Sequence, residues 1–184
     1  MADRGVTRLV ILSGCSGGGK STLLDELGRR GHAVVGEPGR RVVAAQMADG
    51  GSALPWLDPV GFLQCVLALA QGDHDAAHGA QDWVFFDRGV IDAVAGLHHL
   101  TGRPDPTAVA RRYRYHHCVF LAPPWPEIYL TDAERRHGMD EAIAEYDRLA
   151  AIYPALGYAL SPLPRVDVAA RADIVLAALM DDHP

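Results

Sequence analysis

An α/β protein, with a mostly parallel sheet covered on both faces by helices, is what this sequence predicts. Short apolar runs alternate along the chain with longer stretches whose apolar residues recur at helical spacing, the order expected of strands joined by helical crossovers. The first run, Thr7-Arg8-Leu9-Val10-Ile11-Leu12-Ser13, leads straight into Gly14-Cys15-Ser16-Gly17-Gly18-Gly19-Lys20-Ser21. That loop matches G-x-x-x-x-G-K-[ST], a phosphate-binding motif that requires a strand before it and a helix after it. Leu23, Leu24 and Leu27 supply the helix, and Gly31 its stop.

The remaining elements follow in order. His32 to Val35 reads as a second strand running out to Glu37-Pro38, and Gly39 to Gln46 as a helix with Arg40 and Arg41 in its first turn. Cations there oppose the helix dipole, so a local anion or carboxylate is expected beside them. Asp58-Pro59 is an N-cap followed by proline at the first helical position. The helix after it carries Phe62, Val66, Leu67, Leu69 and Ala70 and is expected to be buried. Trp83 to Phe86 is a third strand ending in Asp87, followed by a helix from Val90 to Leu100 and another capped by Asp105-Pro106. Cys118 to Leu121 and Ala159 to Leu163 are the last two strands. Between them, Thr131-Asp132-Ala133-Glu134 fits a capping box, and Ile143, Tyr146, Ala150 and Tyr153 form a helical stripe. Asp167 caps a final helix to about Met180.

Composition narrows the function. A net charge of −6 argues against a nucleic-acid binder. No apolar run reaches membrane-spanning length, and the short start, Met1-Ala2-Asp3-Arg4, leaves no room for a signal peptide. Cys15, Cys65 and Cys118 are odd in number and far apart, which speaks against a disulfide framework or zinc site and for a cytoplasmic setting. His74 and His78, four residues apart with no third ligand, read as a solvated helix end rather than a metal site. Lys20 is the only lysine among 17 basic residues. A chain that otherwise uses arginine keeps lysine where a slim point charge must fit beside phosphates.

In an all-parallel arrangement the strand ends meet at one edge, where ligands bind. The loop glycines, with Cys15, Ser16 and Thr22, form the nucleotide cradle; Lys20 reaches the β- and γ-phosphates, and Ser21 ligates Mg²⁺. Cys15, beside Lys20 at a helix N-terminus, is also placed to have an acidic thiol. Asp87 after four apolar residues has the pattern of a metal-holding acid, and Arg88 beside it can neutralise phosphoryl oxygens; the bland alternative is that both cap the next helix. Glu37 is a candidate general base, a role compatible with an ion pair to Arg40 or Arg41. Arg135-Arg136 reads either as a mobile cationic lid or as a solvated helix face. Arg40, Arg41, Trp56 and Phe62 are the candidate acceptor-pocket residues.

In Gly14–Ser21, Glu37-Pro38, Asp87-Arg88 and Asp132-Ala133-Glu134-Arg135-Arg136 with its tyrosine-bearing helix, the sequence resembles P-loop kinases of the deoxynucleoside and nicotinamide riboside kinase type. It is more similar still to a bacterial "predicted ATPase" AAA-domain family grouped near them. The resemblance covers nearly the whole chain. It implies a single three-layer P-loop domain over residues 1–184, with five mostly parallel strands, the P-loop strand central, and a helical lid at about 124–140. It also implies that Glu37 is the general base, that Asp87 and Arg88 serve Mg²⁺ and the phosphoryl group, and that Arg135 or Arg136 clamps ATP. Arg165, in the loop before the last helix, stands where such folds cradle adenine. The sequence departs from those kinases at Gly89, where serine or histidine is common.

The function expected is ATP- and Mg²⁺-dependent phosphoryl transfer to a hydroxyl of a small, nucleoside-like or other metabolite acceptor. The alternatives are a nucleoside triphosphate hydrolase and an ATP-binding regulatory module. A GTP-binding switch protein needs Asn-Lys-x-Asp, which a chain with Lys20 as sole lysine cannot contain. The sequence leaves the acceptor and the oligomeric state open.

Overall fold

The computed structural model describes residues 7–128 and 138–180. Thr131 to Glu134, Arg135 and Arg136, and so most of the expected lid, lie outside the described residues. The strands are β1 (Leu9–Gly14), β2 (Ala33–Val35), β3 (Val84–Asp87), β4 (Cys118–Ala122) and β5 (Ala159–Pro162), ordered β2-β3-β1-β4-β5 with every pair parallel. The helices are α1 (Lys20–Arg29), α2 (Pro38–Asp49), α3 (Pro59–Ala77), α4 (Val90–Thr101), α5 (Pro106–Arg112), α6 (Met139–Ala155) and α7 (Val168–Met180).

Alternation along each central strand explains why both faces had to be apolar. Leu9, Ile11, Val84, Phe86, Val119 and Leu121 point to one side, where they pack with residues of α4, α5 and α6. Val10, Leu12, Phe85, Phe120 and Ala122 point to the other and meet α1 and α7. A strand covered on both faces reads as a continuous hydrophobic run, which is why these segments carry no polar alternation. β1 lies between β3 and β4, with Leu12 level with Asp87 on one side and Phe120 on the other. Parallel pairing therefore brings Gly14 and Asp87 to the same edge. No helix among the described residues is long and apolar enough to cross a membrane.

Two helices differ from expectation. On α3 only Val66, Ala70 and His74 are fully buried, because the face bearing Phe62 and Leu63 borders a cavity instead of core. His74 is not solvated: it sits at 4% exposure between Tyr113 and Tyr115, with its Nε2 2.9 Å from the Arg114 carbonyl oxygen. On α6 the buried stripe is Ala142, Leu149 and Tyr153, while Ile143 faces solvent.

Candidate active site

The phosphate loop leaves β1 through Gly14, whose φ of +119° and contact with β4 admit no side chain. A Cβ there would stand 2.2 Å from the Ala122 carbonyl oxygen. Gly19, at φ +74°, is the left-handed N-cap of α1. Lys20 is buried, and its Nζ donates to the Cys15 carbonyl at 2.6 Å. Ser21 and Thr22, by contrast, are exposed at the open end of the loop. The Cys15 thiol is not acidic as expected: its complete burial raises its pKa, and Lys20 only partly offsets this.

Asp87 closes β3 at 1% exposure. Its Oδ2 accepts from the Ser21 hydroxyl at 2.9 Å, while its Oδ1 is buried with no hydrogen-bond partner. Desolvation pushes its pKa up, and Glu37 adds to this, against the pull of Lys20, Arg88 and the Ser21 hydroxyl. A buried, desolvated carboxylate with an orphaned oxygen beside a serine hydroxyl is a donor set suited to a hard divalent cation. Neither Asp87 nor Arg88 caps α4: that N-cap is Gly89, whose amide donates to Asp92 Oδ2 at 3.0 Å.

Arg88 takes φ +68°, the left-handed region that non-glycine residues rarely occupy. The turn directs its guanidinium along the strand edge, where Nη1 and Nη2 donate to Glu145 Oε1 and Oε2 at 2.7 and 2.9 Å. Its Nε lies 3.3 Å from Glu37 Oε1. Burial disfavours the cation, but the two carboxylates overcome it and hold Arg88 protonated, well above its ordinary pKa. Glu145 also accepts from the Ser16 amide of the phosphate loop at 3.3 Å. Burial raises its pKa, but Arg88, Lys20 and the Ser16 amide outweigh that and hold the carboxyl below its usual range.

Glu37, just past β2, is therefore the ion-paired carboxylate that its arginines suggested: Arg40 Nε lies 3.4 Å from its Oε2. It also lines a cavity of about 440 Å³ that reaches Ser16 of the phosphate loop. The cavity runs between α2 (Gly39, Arg40, Val43), α3 (Phe62, Leu63, Val66), α4 (Asp92, Ala93, Gly96) and α6 (Ala142, Glu145, Leu149). Of the expected acceptor residues, Glu37, Arg40 and Phe62 line it; Arg41 and Trp56 do not. Arg41 turns outward to Asp73 of α3 at 2.6 Å, and Pro55 takes the wall position expected of Trp56. Arg165 is exposed on the loop before α7 and donates to the Pro124 carbonyl.

Sequence reasoning did not find Glu145, Asp92 or Arg171. Asp92 is buried under the cavity, accepting from Ser13 Oγ, from Tyr153 Oη at 2.6 Å and from the Gly89 amide. The signal for Glu145 lay in α6 itself, beside Tyr146 of the helical stripe.

A buried parallel sheet with a glycine loop closing its central strand, a metal-type acid on the neighbouring strand and a cavity beside both defines the P-loop nucleotide-binding class. A family model described as an AAA domain matches residues 9–171, and the chain belongs to that family. No curated protein sequence matches it. Solved structures share its fold. A deoxyadenosine kinase from M. mycoides, with products dCMP and a flexible dCDP bound, superposes with a TM-score of 0.62 at 12% identity, covering 95% of this chain and 100% of that one. A shikimate kinase from Acinetobacter baumannii in complex with shikimate gives 0.61 at 14% identity, covering 96% and 94%. The five-stranded sheet and its flanking helices are thus those of the P-loop small-molecule kinases.

Proposed function

We propose that this protein transfers a phosphoryl group from ATP, with Mg²⁺, to a hydroxyl of a small molecule held beside Glu37. The observation that carries this reading is the cavity. A hydrolase must admit only water at that point, whereas about 440 Å³ walled by Phe62, Leu63, Val66 and Leu149 suits a metabolite-sized ligand. A nucleoside-like or other metabolite alcohol fits that size; of the kinases sharing the fold, the deoxyadenosine kinase holds dCMP and dCDP and the shikimate kinase holds shikimate.

The residues take the following parts. Lys20, whose Nζ donates to the Cys15 carbonyl, is the cation that would turn to the phosphate oxygens. Ser21 and Asp87 would hold Mg²⁺, whose chemistry is to neutralise charge on the transferring phosphate. Glu37, kept in place by Arg40 and Arg88, accepts the proton of the acceptor hydroxyl. Arg88, lining the same cavity as Glu37 and Ser16, would screen the charge developing on the phosphoryl group. Arg135 and Arg136 are proposed as the lid cations that complete the screen. That none of Cys15, Cys65 and Cys118 forms a disulfide among the described residues fits a cytoplasmic setting.

The test is a metabolite pool incubated with protein, ATP and Mg²⁺ and read by mass spectrometry. A product heavier by one phosphate is expected with the wild type. With Glu37→Gln its formation should fall by about 10²–10⁴-fold, the worth of a general base, while ATP affinity stays unchanged. Undiminished transfer in that variant would remove Glu37 from the mechanism. Phosphate release without any acceptor product would make the protein a hydrolase.

A further inference from the structure

Arg171 lies in the first turns of α7, at 2% exposure, pressed against the phosphate loop. Its Nη1 donates to the Gly19 carbonyl at 3.3 Å, and that same nitrogen is 2.6 Å from where a Gly19 Cβ would stand. Its Cζ is 5.6 Å from the centre of the Trp125 ring, on the connection leading out of β4, and Ile128 Cδ1 closes over the same glycine. No ion pair to a carboxylate accompanies it among the described residues. Its Nε and Nη2 are buried and make no hydrogen bond. The contrast with Arg88, held by two carboxylates, and with Arg30, paired to Glu26 and Asp173, is complete. Desolvation with nothing to offset it pulls the Arg171 guanidinium below its ordinary pKa.

A buried cation without a counter-charge destabilises the protein that holds it. Nε–H and Nη2–H form one edge of the planar guanidinium, two parallel donors whose spacing matches two oxygens of a phosphate. Gly19 immediately precedes Lys20. We propose that Arg171 is a phosphate-binding residue of the nucleotide site, its unpaired edge taking two phosphate oxygens of the bound triphosphate. The proposal rests on the reading of Gly14–Ser21 as a triphosphate cradle and adds a residue that lies 152 positions from the loop. It also explains why position 19 carries no side chain beyond its φ: the guanidinium fills that space.

Calorimetric titration with ATP, GTP and tripolyphosphate, each with Mg²⁺, tests it on the full chain, alongside thermal unfolding without nucleotide. Arg171→Met should weaken all three ligands at least tenfold, while the nucleotide-free variant melts no lower than wild type because an uncompensated charge is gone. Arg171→Lys keeps the charge but not the fork, and should lose at least threefold; it carries the test should the methionine variant misfold. Unchanged affinities with a lowered melting temperature would make Arg171 a structural cation on Trp125 and overturn the proposal. Loss confined to ATP and GTP, with tripolyphosphate unaffected, would place the contact on the base and overturn it too. A wild type that binds none of the three would overturn the cradle reading itself, an outcome distinct from any effect of the variants.

Discussion

Asp87 is the residue at which stability and function pull in opposite directions. Its pKa is raised in the folded state, so between the ordinary carboxylate range and that raised value the folded protein binds more protons than the unfolded chain. Stability contributed by this group is therefore present at low pH and lost as pH rises through the folded pKa. Above that folded pKa the ionised, 1% exposed carboxylate is a liability that a bound cation would relieve. Asp87→Asn should consequently raise the unfolding midpoint of the nucleotide-free protein, by roughly 2–4 °C if about 1 kcal/mol of that strain is removed. The same variant should lose the Mg²⁺-dependent tightening of nucleotide binding. Scanning calorimetry and titration with and without Mg²⁺ measure both; a destabilised variant that still responds to Mg²⁺ would show that Asp87 is structural.

Among the elements, α6 does more than cover the sheet. Glu145 fastens it to Arg88 and Ser16, and one end further along Tyr153 fastens it to Asp92. Against burial, Arg88 and the Ser16 amide hold the Glu145 carboxyl below the usual carboxylate range, so its contribution to stability is present above that range and is lost as pH falls through its folded value. The amides of α6 should therefore lose hydrogen-exchange protection earlier than those of α1 on acidification below that value. Glu145→Gln should remove the pH dependence. It should also cost about 2–3 kcal/mol, toward the lower end for one partner of a buried pair because Glu145 is partly exposed. Equal protection of α6 in both proteins at every pH would show that the clasp contributes nothing. The start of α4 explains the departure at position 89. A Cβ on Gly89 would stand 2.7 Å from Ile11 Cδ1 and 2.9 Å from Tyr115 Oη. That phenol accepts from the Val90 amide at 3.2 Å, taking the place a capping side chain would have had.

For the whole molecule, what was legible in the sequence is what consecutive residues encode. The apolar runs of β1, β3 and β4, the glycine loop, the proline-led starts of α3 and α5 and the acid ending β3 each act within a few positions. Arg88–Glu145 and Tyr153–Asp92 join residues 57 and 61 positions apart, and Arg171 meets Gly19 across 152. Those meetings are set by how α6 and α7 pack, and a helix sequence reveals its buried stripe but not which partner faces it. Arg41 and Trp56 failed for the same reason: position in the chain put them near the pocket, and packing turned Arg41 toward Asp73. The apolar excess of α3 was legible too, but its meaning was not, since an apolar face suits a core and a ligand cavity alike. That ambiguity gives the decisive test of the proposed reaction. Ala144 is exposed on α6 and lines the cavity, so a larger side chain there can enter it without displacing core. Ala144→Trp should leave the folding stability within about 0.5 kcal/mol, as for surface substitutions generally. On the proposed reading, with the nucleotide held in the Gly14–Ser21 loop, ATP affinity should be unchanged. Transfer to an acceptor, by contrast, should fall by at least about tenfold, and by as much as 10²-fold where the acceptor is displaced by an ångström. In a hydrolase the same variant would release phosphate at the wild-type rate, since water needs none of the blocked volume. Coupled assays of phosphate release and acceptor phosphorylation on the two proteins separate these outcomes.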